Sequence, residues 1–243
     1  MDLAIDIGNS FHKAALFSEK GEMVYYKCYK NITIDHIKEF FDFFPIEHSI
    51  LSSVGKNHAE IIKYLQSETQ YISFSHNSKL PISIVYDNPK TLGLDRIANA
   101  VAAYSDFAGY NILSIQAGSC LVFDFITKEG NYLGGSISPG IEMRFNALHH
   151  FTRRLPLLSK KEINYFIGHS TQQSIESGVI NGIIHEINGF IGNYRTNYKD
   201  LKILISGGDS DYLQNSIKNT IFVGSSFILC GLHKILKFNV ENN

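Results

Sequence analysis

The chain of 243 residues holds only three cysteines, Cys28, Cys120 and Cys230, and no C-x-x-C pair. A disulfide framework or a zinc ribbon is therefore not expected, since both need closely spaced cysteine pairs. An excess of one charge is also missing: 22 basic and 23 acidic residues leave a net charge of −1, with no Lys/Arg cluster. No field is available to hold nucleic acid or an anionic membrane surface, and neither is expected as a partner. The greasiest stretch, 221–232, is too short for a bilayer and is broken by Ser225 and Ser226. Asp2 and Asp6 interrupt the first apolar run, unlike a signal peptide. The histidines His149, His150 and His185 lack the H-x-x-x-H or H-E-x-x-H spacing of a zinc site. These absences together imply a soluble protein of the reducing cytoplasm.

With 44% hydrophobic and 19% charged residues, the chain can bury a sizeable core. Its opening reads as a meander: strands over 2–7, 11–17 and 23–29, with turns at 8–10 and 18–22. Helices are expected near 34–44 and 57–67 around a strand at 46–53, and a further helix over 94–104. The opening then recurs. Residues 113–120 lie over residues 3–10, so that Gly118 matches Gly8. A second strand (121–126), a glycine turn (128–131) and a third strand (132–137) follow. A repeat of this size implies two related α/β halves, 1–109 and 110–243. Ile175, Val179, Ile183, Ile187, Phe190 and Tyr194 stripe one long helix from about Thr171, as core or dimer packing. A last strand is expected at 201–206, and a final helix from about Phe222.

Four segments could carry chemistry. Asp6-Ile7-Gly8-Asn9-Ser10 sets a carboxylate at a strand end before a turn whose glycine lets backbone N–H groups approach phosphate oxygens. A carboxylate serves there only with Mg²⁺ or its waters between, and an ordinary hairpin turn fits the same five residues. Neither G-x-x-x-x-G-K-[ST] nor G-x-G-x-x-G is present. Gly93-Leu94-Asp95-Arg96 begins a helix, where an acid is favoured by the helix dipole alone. There Asp95 could instead accept a hydroxyl proton and Arg96 pair with a carboxylate. Gly134 to Gly140 is dense in glycine and hydroxyl groups, and Ser138-Pro139 fits an N-cap followed by proline at the first helical position. Gly207-Gly208-Asp209 follows the last expected strand and offers backbone to a base or ribose.

In this order the segments resemble the type III pantothenate kinases of the acetate kinase/hsp70/actin superfamily, over nearly the whole chain. The resemblance implies two ribonuclease-H-like domains with a nucleotide cleft between them, and a homodimer. The implied reaction is ATP-dependent phosphorylation of the primary hydroxyl of pantothenate to 4'-phosphopantothenate, the first step of coenzyme A biosynthesis. By the same resemblance Asp6, Ile7, Gly8, Asn9, Ser10, Phe11, His12 and Lys13 surround the ATP phosphates, Asp6 acting through Mg²⁺. Ser119 reaches ATP from the second hairpin, and Asp95 is the general base. Gly93, Leu94 and Arg96 line the pantothenate site. Tyr86 and Thr171 contact substrate, Thr171 near the dimer interface. One position departs: where the family has an aspartate for a monovalent cation (K⁺ or NH₄⁺), this chain has Gln116, a neutral donor, so K⁺ activation is expected to be weak or altered. Asp124 is the carboxylate that could compensate. A sister kinase of the superfamily and a non-catalytic regulator are the alternatives.

Overall fold

The computed structural model describes residues 1–8, 10–53, 58–218 and 220–242. Its elements begin with β1 (Asp2–Ile7), β2 (His12–Phe17), β3 (Met23–Tyr29), α1 (Ile34–Phe43), β4 (His48–Ser53) and α2 (Ala59–Glu68). Next come β5 (Gln70–Ser73), β6 (Ser83–Ile84), a 3₁₀ turn (Pro89–Thr91), α3 (Leu94–Asp106), β7 (Asn111–Ala117), β8 (Cys120–Ile126) and β9 (Asn131–Pro139). The chain ends with α4 (Ile141–His150), α5 (Thr171–Asn197), β10 (Leu201–Ser206), α6 (Ser210–Leu213), β11 (Ile221–Gly224) and α7 (Phe227–Glu241). Two compact units result. One comprises Met1–Gly109, Glu129–Leu133 and Ser226–Asn243, the other Tyr110–Lys128 and Gly134–Ser225.

In the first unit the sheet runs β3-β2-β1-β4-β5, with β1 antiparallel to β2 and parallel to β4. In the second it runs β9-β8-β7-β10-β11, with β7 antiparallel to β8 and parallel to β10. The two orders are the same, so the repeat expected from residues 3–10 and 113–120 is a repeat of topology. Both sheets are of the ribonuclease-H-like kind, in an α/β protein as expected. Strand β9 starts in the first unit, where its Asn131 and Tyr132 pair with Ser83 and Ile84.

Strand β1 is buried along its whole length. Its alternation sends Leu3, Ile5 and Ile7 into a core with Ile37, Phe40, Ile61 and Leu65 of α1 and α2. Asp2, Ala4 and Asp6 face the other way. On that side Asp2 bonds His48 Nδ1 at 2.8 Å and His233 Nε2 of α7 at 2.9 Å, with Lys237 Nζ at 3.7 Å. An ionised carboxylate only accepts, so both rings donate. The His233 ring also stacks on Phe17 at 4.2 Å. Helix α7 then crosses α3 closely: a Cβ on Gly231 would lie 1.8 Å from the Ala98 carbonyl oxygen, so only glycine fits. In the second unit Leu113, Ile115 and Phe123 meet the striped face of α5 at Ile175, Val179, Ile183 and Ile187. No helix among the described residues is long and apolar enough to cross a membrane.

Several boundaries differ from expectation. Strand 201–206 is not the last, because Ile221 and Phe222 pair in parallel with Leu204 and Ile205. The final helix starts at Phe227 rather than Phe222: Gly224 takes φ +70° and ends the strand before Ser225 and Ser226. Helix α7 groups with the first unit, whereas the division at residue 109 assigned it to the second half. Ser138-Pro139 is not a helix start. β9 runs through Pro139, the N-cap is Gly140, and its N–H donates to Ser119 O at 3.2 Å. β5 and β6 are too short to leave a pattern in sequence. The expected helix start at Asn57 lies outside the described residues.

Burial raises the Asp2 pKa, but hydrogen bonds from His233 and His48 and the charge of Lys237 outweigh it and bring the group to about 2. Its folded pKa is below the unfolded value, so this contact stabilises above pH 4 and is lost as pH falls toward 2. Replacing Asp2 by Ala is expected to cost about 2 kcal/mol at pH 7. Thermal melts of the two proteins should converge below pH 3; a gap independent of pH would contradict the account.

Candidate functional site

Asp6 ends β1 with only 5% of its surface exposed. The antiparallel register sets Lys13 directly across from it and the parallel register sets Ser52 on its other side, so all three share one face of the sheet. Ser52 is fully buried, and its hydroxyl has no partner among the described residues. Burial pushes the Asp6 pKa up, Lys13 pulls it down, and the nearby charge of Asp95 pushes it up again, to about 7. A carboxylate so placed is short of positive charge. In the turn that follows, Ser10 and Phe11 are exposed; Asn9 lies outside the described residues. His12 Nδ1 accepts from the Ile32 N–H at 3.0 Å, so the neutral ring carries its proton on Nε2.

Asp95 stands in the first turn of α3, after Gly93 as N-cap. A Cβ at Gly93 would lie 2.4 Å from Asp95 Oδ1, so the carboxylate folds back over a space that only glycine leaves open. The loop before it is fixed by His76 Nε2 on Leu92 O at 2.8 Å, and the turn by Asn99 Nδ2 donating to Asp95 O at 3.0 Å. Leu94 is half-buried. Arg96 is buried, 7% exposed, its guanidinium 5.9 Å from the centre of the Tyr132 ring. Tyr132 in turn lies 6.3 Å from the Tyr86 ring. The first unit therefore gathers Asp6, Lys13 and Asp95 in one electrostatic group, and Arg96 and Tyr86 around Tyr132.

The corresponding turn of the second unit is tied down by backbone bonds. Gly118 N–H donates to Cys120 O at 3.0 Å, and Asp209 N–H to Ala117 O at 3.0 Å. Ser119 is exposed at its tip. Gln116 lies in register with Val122 and with Ser206, whose hydroxyl is buried without a partner among the described residues. Asp124 is buried two pairs further along, opposite Ser114. Asp209 is ion-paired with Lys160. Thr171 is the exposed first residue of α5, behind the N-cap Ser170.

Two groups escaped the sequence reading. Ser52 gave no signal because nothing in sequence fixes which strand lies parallel to β1. Tyr132 looked like any strand aromatic until its pairing with β6 set it beside Arg96. Among the described residues no cluster of three His, Cys, Asp or Glu could hold a metal by itself.

The chain matches the family model described as type III pantothenate kinase over residues 2–193. It is 38% identical over 244 residues to the type III pantothenate kinase of Flavobacterium johnsoniae, with 100% of both chains covered. It is 42% identical over 240 residues to that of Christiangramia forsetii, covering 98% of this chain and 99% of the relative. A solved structure described as a Baf family transcriptional activator from Campylobacter jejuni superposes with a TM-score of 0.63 over 98% of this chain and 99% of that one. At 22% identity it shows the fold alone.

The raised pKa of Asp6 means that ionising it costs folding energy, a cost absent below pH 4 and complete once pH rises through about 7. Without nucleotide and with Mg²⁺ chelated, Asp6→Asn is expected to melt above the parent at pH 8.5. The gap should close toward pH 5. A variant that melts below the parent at both pH values would contradict this reading.

Proposed function

This chain belongs to the type III pantothenate kinase family, and we propose that Asp95 and Asp6 divide between them the acceptor and nucleotide ends of its reaction. The reaction is ATP-dependent phosphorylation of pantothenate in coenzyme A biosynthesis. The observation that carries the division is electrostatic. Asp6 is buried and deficient in positive charge, while Asp95, close enough to raise it, is half-exposed at a helix start.

Asp95 takes the proton from the primary hydroxyl of pantothenate as that oxygen meets the γ-phosphate. Phosphoryl transfer has a loose transition state, so the base acts late and most of the rate comes from position and charge. Arg96 pairs with the pantothenate carboxylate, with Tyr86, Gly93 and Leu94 alongside and Thr171 as a further contact. Asp6, Ile7, Gly8, Asn9, Ser10, Phe11, His12 and Lys13 serve the phosphates, Lys13 by charge, and Ser119 adds a hydroxyl from the second hairpin. The oxygen donor and charge deficit of Asp6 suit Mg²⁺ held through water and substrate phosphates rather than by a protein cage. When bound, Mg²⁺ neutralises phosphate charge.

At Gln116 a monovalent cation would meet an amide and the Ser206 hydroxyl, both neutral, so K⁺ or NH₄⁺ activation is weak. The homodimer reading draws support from Phe151, Phe166 and Ile167, 82%, 70% and 70% exposed around the segment that leads into α5. The three free thiols support a reducing, cytoplasmic setting.

Asp95→Asn should lower kcat at least ~10²-fold with the KM for ATP near that of the parent. Gly93→Ala should lower kcat about tenfold by displacing the same carboxylate, with little change in melting temperature. Near-normal turnover in Asp95→Asn would remove the assignment. In a K⁺ titration the parent should respond weakly and Gln116→Asp more strongly; strong activation of the parent would overturn the cation reading.

A further inference from the structure

Ser52 is a polar side chain at a place where the fold makes no use of it. It is 1% exposed, and its hydroxyl has no hydrogen-bond partner among the described residues. A buried hydroxyl in that state costs folding energy, so the position calls for a partner that arrives from outside.

The register of β1 and β4 shows what kind of partner fits. On the face that carries Asp2, Ala4 and Asp6, parallel pairing sets His48 beside Asp2 and, four residues on, Ser52 beside Asp6. At the first position the imidazole is long enough to close on the carboxylate, at 2.8 Å. At the second the side chain is one carbon and one oxygen, and the two groups, though side by side, do not bond. Strand β5 ends opposite Leu51, so Ser52 stands beyond its last rung with β1 as its paired strand. The second sheet repeats the arrangement. Ser206 of β10 is buried in register with Gln116 of β7, its hydroxyl equally without a partner among the described residues.

Two neighbouring oxygens that do not bond each other, one of them a buried carboxylate, form a cradle for a donor of two protons. A water held by a divalent cation is such a donor, because its lone pair faces the metal and both O–H groups point outward. Mg²⁺ keeps several such waters when it travels with substrate phosphates. We propose that Ser52 is a positioning residue of the nucleotide site: its hydroxyl oxygen and the Asp6 carboxylate together accept the two protons of one water in the hydration shell of the divalent cation that accompanies ATP. This rests on the assignment of Asp6 to that cation. Ser52 touches neither metal nor phosphate; it fixes the water, and through it the place of the cation beside β1.

The test uses the full chain and reads melting temperature. With Mg²⁺ chelated and no nucleotide, Ser52→Ala should melt at or above the parent, because the fold loses no bond. With a non-hydrolysable ATP analogue at fixed concentration, Mg²⁺ is then titrated. The Mg²⁺ concentration at the half-point of the melting-temperature rise should increase about tenfold, as when an outer partner of a metal site is removed. Asp6→Asn should raise the half-point as well, and the double variant should need little more Mg²⁺ than Asp6→Asn alone, since both side chains serve one water. A lower melting temperature in the chelated state would make the hydroxyl part of the fold and overturn the inference. An unshifted half-point in Ser52→Ala, or shifts that add in full in the double variant, would overturn it too. Asp6→Asn separates the two claims. If it raises the half-point while Ser52→Ala does not, Asp6 serves the cation without Ser52. If it leaves the half-point at the parent's value, the assignment of Asp6 to the cation fails, and the inference fails with it.

Discussion

A strand buried on both faces can carry a charge only where something neutralises it, and β1 carries two. Asp2 and Asp6 lie on the same face of that strand. Asp2 finds its compensation inside the fold, from two imidazoles and a lysine, and its pKa falls to about 2. Asp6 has Lys13 beside it and Asp95 against it, and its pKa rises to about 7. The first acid fastens the C-terminal helix to the sheet. The second keeps an unmet demand for positive charge, which a nucleotide with its cation can satisfy. What separates a structural acid from a functional one here is the number of donors each has been given.

Helix α3 extends the same division. Successive residues on a helix diverge by about 100°, so the neighbours Asp95 and Arg96 cannot serve one direction. Asp95 lies near Asp6, folded over the space left by Gly93, and Arg96 lies against Tyr132. The helix is held by the His76 and Asn99 bonds around its first turn and, one turn on at Ala98, by the close crossing of α7 at Gly231. A reaction whose rate depends on position requires that rigidity.

Most of the frame was legible because its signals are local. Apolar runs parted by turn residues marked β1 to β3, the echo of residues 3–10 at 113–120 announced a second, related half, and the stripe on α5 marked its core. Misreadings fell where the signal is not local. The apolar run from Ile221 reads equally as strand or helix, and only its pairing with β10 decides. Ser138-Pro139 has the chemistry of a helix start, yet pairing carries the strand two residues further. Asp95 and Arg96 could be named from their motif, but the ring beside Arg96 could not, because Tyr132 comes there through a pairing with a two-residue strand. Asp2, noted in the sequence only as a charge in an apolar run, is the anchor of the last helix.

The central claim is that this chain phosphorylates an acidic alcohol recognised as pantothenate, using ATP. The most direct measurement is coupled ADP release by the purified protein with Mg·ATP, offered pantothenate, a hexose or acetate in separate reactions. Product identity would be read from the phosphorus spectrum. The account predicts sustained ADP release with pantothenate alone and a phosphomonoester on its primary hydroxyl. Turnover with the sugar or acetate instead, or binding of pantothenate without ADP release, would contradict it.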